Sequence, residues 1–263
     1  MNELQRKQGF ICDMDGVIYR GESLLPGARE FVFWLEQQGK EYLFLTQNSQ
    51  RTREELQQRL TRLGIDTDAM NFYTASLNTA SFLAAQCPGG SAFVIGDAGL
   101  TNAIYQAGIT MNDVDPDYVV VGETSSYSFE KIALAIKLIM GGARLIGTNP
   151  DLVLPTAHGF LPGCGAMIAP IERATGRQAY FLGKPNPLMI RHALRSLGTT
   201  REETVFIGDS METDIIAGIH TEIDTVLVLS GTTSREDLAR YAFRPTYILN
   251  GVGDIIRETG DGQ

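Results

Sequence analysis

A chain of 263 residues is long enough for one large domain or two small ones, and its 43% hydrophobic and 20% charged residues are those of an ordinary globular protein. The net charge of −9, with no block of Lys and Arg, argues against a nucleic-acid partner, so an anionic ligand would need a local cluster of donors and a metal ion. The longest apolar runs are about ten residues, too short to span a bilayer, so no membrane partner is expected.

Residues 1–8 carry no apolar h-region, which predicts no secretory signal and a cytoplasmic protein. The run Phe10-Ile11-Cys12 predicts a strand ending in Asp13-Met14-Asp15-Gly16-Val17. Residues 26–38 predict a helix, with Pro26 in its first turn and Gly39 past its end. A second strand, Tyr42-Leu43-Phe44-Leu45, runs into Thr46-Gln47-Asn48, and residues 53–63 predict an amphipathic helix closed by Gly64. Strands are then predicted at 92–96, 118–122 and 145–148, with helices at 100–106 and 129–140. Gly183-Lys184-Pro185 precedes a helix predicted from Pro187. A strand at 204–208 leads into Asp209-Ser210, a helix start at 211–217 carries Asp214, and a last strand covers 225–229. The tail, 260–263, is expected to fray.

Near-continuous apolar strands alternating with helices predict the α/β class, with a parallel sheet covered on both faces. The four polar segments, at 13–17, 45–48, 183–185 and 208–214, leave a long middle stretch empty. The reading is a doubly wound, mainly parallel, Rossmann-like core built from residues 1–77 and 182–263, with a second α/β domain, residues 78–181, inserted between them.

Ligands of parallel α/β sheets bind at the carboxyl ends of the strands, so Asp13, Thr46, Lys184 and Asp209 are expected on one rim. An ionised Asp can attack phosphorus, and a second carboxyl can pass the proton. Two close carboxylates call for a cation such as Mg2+. Gly16 permits a tight turn after Asp15. Thr46 offers a hydroxyl, Lys184 an ammonium for phosphoryl oxygens, and Asp214 a support for Asp209. The three cysteines, Cys12, Cys87 and Cys164, fit reduced thiols, with Cys12 a small buried hydrophobe. His158, His192 and His220 have no metal-ligand spacing. No Walker A loop, G-x-S-x-G elbow, Cys-x-x-Cys pair or G-x-G-x-x-G fingerprint occurs.

Taken together, Asp13-Met14-Asp15-Gly16-Val17, Thr46, Gly183-Lys184-Pro185 and the stretch from Gly208 to Asp214 resemble the haloacid dehalogenase superfamily of phosphatases. The insert is similar to that superfamily's C2-type cap. Val121-Gly122-Glu123-Thr124, Thr148-Asn149-Pro150-Asp151, Cys164-Gly165-Ala166, Val228-Leu229-Ser230-Gly231 and Phe243-Arg244-Pro245 resemble its NagD-type branch. The resemblance implies Asp13 as nucleophile and metal ligand, and Asp15 as general acid/base and, through its carbonyl, metal ligand. It also implies Asp209 on magnesium with Asp214 in support, and Thr46, Gln47 and Lys184 on phosphate. Asn149, Asp151 and a Gly163-Cys164-Gly165 turn are the candidates for facing the substrate. One departure is Gln47, where the family usually has Asn.

The implied function is a Mg2+-dependent phosphatase of small phosphomonoesters, nucleoside monophosphates such as UMP, working through an aspartyl phosphate. Sugar phosphates or 4-nitrophenyl phosphate are the alternative substrates. A phosphomutase and a phospho-receiver module are the competing classes. The partner is a small phosphorylated metabolite, and a homo-oligomer is left open.

Overall fold

Apolar runs too continuous for an amphipathic strand become the middle of a six-stranded sheet in the computed structural model, which describes residues 3–156 and 159–257. The first two residues, His158 and the tail at 260–263 lie outside the described residues. The chain folds into two compact units. The first holds Met1–Thr46, Gln57–Tyr73 and Ile190–Gln263; the second holds Gln47–Leu56 and Thr74–Met189.

The sheet of the first unit runs, in spatial order, Tyr247–Leu249, Asp224–Val228, Thr204–Gly208, Gly9–Asp13, Glu41–Thr46, Phe72–Thr74. Gly9–Asp13 pairs in parallel with both of its neighbours, so Ile11 lies between Phe206 and Leu43. Phe10, Ile11 and Cys12 are fully buried, as a central strand covered on both faces requires. The helix Ala28–Gln37 covers one face, where Phe10 meets Phe31 and Trp34 edge-on at ring separations of 6.0 and 5.8 Å. It begins two residues after Pro26 because Gly27, at φ 81, is left-handed and packs where a side chain would strike Gly253.

The helix expected at 211–217 opens as a wide π turn, Met211–Ile215, before an α-helix, Ile216–Thr221. Ser210 caps it by accepting from Thr213 N, and Ser210 O accepts from both Asp214 N and Ile215 N. Single π turns of this kind often occur at functional sites.

The second unit has its own five-stranded sheet, parallel throughout, in the order Tyr180–Phe181, Arg144–Gly147, Tyr118–Val121, Ser91–Ile95, Thr110–Met111. Two buried clusters cover it, one around Leu83, Leu100, Ile104 and Val120, the other around Val119, Val121, Ile139 and Ile168. The short stretch Gln47–Leu56 belongs to this unit, tied there by its main chain and by the Gln50 side chain. Ser76 Oγ donates to Ser49 O at 2.9 Å, Gly99 N to Gln50 O at 2.8 Å, and Gln50 Nε2 to Asp97 at 3.0 Å.

Two features of this unit differ from the sequence reading. Gly163-Cys164-Gly165 is no turn: Gly163 is the N-cap and Cys164 the first residue of a helix, Cys164–Thr175. The glycines suggested a loop, but they are there because a Cβ on either would strike the main chain of residues 150–151. An antiparallel hairpin, Val153–Thr156 with Gly159–Pro162, was not anticipated. Among the described residues, no helix is long and apolar enough to cross a membrane.

Candidate active site

The chain leaves its first strand toward Glu41–Thr46 on one side and returns to Thr204–Gly208 on the other. That reversal is the topological switch point, where open α/β sheets leave a crevice beyond the strand ends. Asp13 ends the first strand and Asp209 follows the neighbouring one, so the crevice is lined by acid from both sides.

Asp13, Asp209 and Asp214 each place a carboxylate oxygen within 4.8 Å of the others. Asp13 and Asp209 are 8% and 6% exposed and Asp214 is fully buried. Three carboxylates packed this closely out of water repel one another unless a cation joins them. An all-oxygen set of this kind suits a small hard cation such as Mg2+.

Hydrogen bonds fix the trio from behind. The buried Asp214 carboxylate accepts from Asp209 N and Ser210 N, both at 3.1 Å. Gly208 makes room for it, since a Cβ there would overlap the Asp214 side chain. Asp209 Oδ2 accepts from Thr232 N at 2.6 Å, and Thr233 N donates to Asp209 O at 3.0 Å.

Two glycines cradle the Asp209 carboxylate. Gly16 sits at φ 77 in the turn after Asp15, where Ile18 N donates to Met14 O at 2.9 Å and Gly16 N to Tyr19 O at 2.8 Å. A Cβ on Gly16 or Gly231 would collide with Asp209 Oδ2. Ser230 Oγ donates to Gly16 O at 2.7 Å, and the Arg20 guanidinium donates to Ser230 O. Gly16 was expected for its turn, and the turn is there. Its second role, and the roles of Gly231 and Thr232, were not legible, because nothing in a Ser-Gly-Thr after a strand, even one that resembles a family phrase, points to a carboxylate elsewhere in the chain.

Asp15 lies just past the strand with an exposed side chain, outside the trio, and Thr46 is buried at the end of Glu41–Thr46. Cys12 is buried beside this acid, and burial, with the charge of Asp13, drives its thiol well above the ordinary range. It stays a protonated, unreactive small hydrophobe. His192 is half-buried and His220 exposed; neither joins a metal-binding cluster among the described residues.

Lys184 requires a correction. It follows a strand as expected, but that strand is Tyr180–Phe181 of the second sheet, paired with Arg144–Gly147, and not one of the six strands that carry Asp13, Thr46 and Asp209. It therefore shares no sheet rim with them. The side chain is buried, at 2% exposure.

Gln47, Asn149 and Asp151 lie in the second unit and are joined to each other. Gln47 Oε1 accepts from Lys184 N at 2.8 Å, and Gln47 Nε2 donates to Lys184 O at 3.0 Å and to Asp151 Oδ1 at 3.3 Å. Asn149 Nδ2 donates to Gln47 O at 3.1 Å and to Glu123, and Ser49 Oγ donates to Glu123. Glu123 is a buried carboxyl, 3% exposed, to which the sequence reading gave a place in a family phrase but no role. Burial pushes its pKa up to about 7 against the pull of the Asn149 hydrogen bond, and the nearby Asp151 charge adds to the rise.

This geometry has known counterparts. Residues 10–110 match the family model described as haloacid dehalogenase-like hydrolase, and residues 181–255 match the HAD-hydrolase-like model. The ribonucleotide monophosphatase NagD of Escherichia coli K12 is 41% identical, over 94% of this chain and 98% of its own length. The chain belongs to the haloacid dehalogenase-like hydrolases. Within that superfamily it is a NagD-type phosphatase, a phosphoric monoester hydrolase. The solved structure of NagD from E. coli K-12 superposes with a TM-score of 0.90 at 40% identity, covering 95% of this chain and 99% of that one. A dihydroxyacetone phosphatase of Corynebacterium glutamicum is 44% identical, over 94% of this chain and 90% of its length. The NagD-type resemblance read from the scattered phrases of this phosphatase is thus carried by the whole chain.

Proposed function

We propose that this NagD-type phosphatase hydrolyses nucleoside monophosphates, with Mg2+ and through a phosphoryl group carried on Asp13. The observation that carries the proposal is the carboxylate trio of Asp13, Asp209 and Asp214, gathered at the switch point of the sheet. In the proposed reaction the Asp13 carboxylate attacks phosphorus and the ester P–O bond breaks. Asp15 gives its proton to the leaving oxygen. It then takes a proton from the water that attacks the acyl phosphate, releasing inorganic phosphate and restoring Asp13. The exposed position of Asp15 suits a proton carrier that must meet both a leaving group and water.

Asp13, Asp209 and the Asp15 carbonyl would hold the magnesium ion, with Asp214 orienting Asp209. The ion supplies positive charge that lets a carboxylate and a phosphate dianion approach. Thr46 contributes a hydroxyl donor, and Lys184 an ammonium that offsets charge on the transferring oxygens.

Phosphate release measured over nucleotides, sugar phosphates and triose phosphates, with and without magnesium, tests the substrate. The expected result is the highest kcat/KM on nucleoside monophosphates and loss of turnover with a chelator. A second reading, small sugar or triose phosphates, is favoured by the 44% identity to a dihydroxyacetone phosphatase. A kcat/KM for dihydroxyacetone phosphate above that of every nucleotide would replace the first reading with the second.

A further inference from the structure

We propose that Gln47 is a positioning residue: its side-chain amide holds the main chain of Lys184 and so sets where the Lys184 ammonium stands. The inference rests on the proposed action of Lys184 on the phosphoryl group and adds to it a role for the Gln47 side chain.

The amide exchanges both hydrogen bonds with one residue. It accepts from Lys184 N at 2.8 Å and donates to Lys184 O at 3.0 Å. This is the pattern by which one strand fixes a residue of its neighbour, supplied here by a side chain. The remaining Nε2 hydrogen goes to Asp151 Oδ1 at 3.3 Å. A glutamine amide has two N–H donors, and both are spent. No donor of this side chain is left for a phosphate oxygen, so a phosphate contact at this position would fall to the Gln47 main-chain N–H.

The clamp is built into the packing. A Cβ at Gly183 would strike Gln47 Oε1, so the close approach of the amide to the main chain before Lys184 needs glycine there. Gln47 is itself held: Asn149 Nδ2 donates to its carbonyl at 3.1 Å, and the Asn149 side chain also accepts from Asp151 N at 3.1 Å. Behind Asn149 stands Glu123, which also receives the Ser49 hydroxyl and whose own N–H donates to Ser49 Oγ at 3.0 Å. From Glu123 to Lys184, every link is a hydrogen bond within the second unit. The Asn that the resemblance implies at position 47 would be one methylene shorter than the glutamine that reaches both Lys184 N and Lys184 O here.

The test is a double-mutant cycle in kcat and KM with a nucleoside monophosphate, comparing Q47A, K184A and the double variant, with melting temperatures for each. Q47A is expected to lower kcat about ten- to a hundredfold, the cost of displacing a reacting group by about 1 Å, with KM changing far less. In the K184A background the same change is expected to cost less than about twofold, because the residue it positions is gone. A Q47A factor undiminished in that background overturns the inference, as does Q47A turning over at the wild-type rate. K184A at the wild-type rate would remove the proposed role of Lys184 itself, and the inference with it, so the two failures read differently. Should Q47A melt too low to assay, Q47E keeps shape and an acceptor for Lys184 N but faces Asp151 with a second carboxylate. Its rate relative to wild type is expected to rise as pH falls and that pair takes up a proton, and a flat ratio overturns the inference.

Discussion

The carboxylate pocket of the first unit and the polar clamp of the second are both buried, yet they are built by opposite means. In the pocket, each acid is delivered by the backbone: Asp13 ends one strand, Asp209 follows the next, and Asp214 is returned to Asp209 by a π turn. In the clamp, residues 47, 49, 123, 149, 151 and 184 come from four connecting segments and are joined through hydrogen bonds made by side chains. The difference teaches that like charges can be gathered by topology, whereas a loop carrying a cation is held by neutral amides whose donors and acceptors are all used. A half-satisfied buried network destabilises more than an apolar core would, so each member of the clamp matters to the others.

The largest expected break falls on the pocket. Gly231→Ala places a methyl against the Asp209 carboxylate. It is expected to weaken magnesium binding about ten- to a hundredfold, as changes behind a metal ligand commonly do. Titration of activity with magnesium measures it, and an unchanged magnesium requirement would separate Asp209 from the metal. The same substitution leaves the clamp untouched, just as Q47A leaves the pocket untouched, so the two should differ in magnesium dependence as well as in rate.

A smaller effect is expected at the far end of the clamp. Glu123 takes up its proton more readily in the folded protein, at about 7, than an ordinary carboxyl does at 4.5. A group with a raised folded pKa contributes stability that is fully present below the unfolded value and is lost as pH rises through the folded one. Wild-type stability is therefore expected to fall between pH 4.5 and pH 7, by up to about 3 kcal/mol from this group. Glu123→Gln, which resembles the protonated form, should flatten that fall while changing kcat only a few-fold. Melting temperatures of the two proteins across the window check this; parallel curves would show that Glu123 does not titrate there.

The two regions also differ in how far a reader of the chain could see them. The pocket was largely legible because strand-end acids are local: Asp13, Asp15, Asp209 and Asp214 each stand within a few residues of an apolar run. Gly231 was not, since its function is to leave space for a residue 22 positions away. Most residues of the clamp were legible as candidates, but the bonds that join them were not. Gln47 looked like a departure from a phosphate-binding pattern, and its real partner lies 137 residues on. Lys184 was assigned to the wrong sheet because Tyr180–Phe181 is too short to show which neighbour it pairs with. Gly163-Cys164-Gly165 read as a turn because glycine marks flexibility and close packing alike.

The central claim is that Asp13 carries the phosphoryl group. Turnover stopped by acid, followed by peptide mass spectrometry, tests it directly. The account predicts a phosphoryl group on the peptide containing Asp13 in the wild-type enzyme, and neither that adduct nor phosphate release in Asp13→Asn. Phosphate release by Asp13→Asn at the wild-type rate would contradict it.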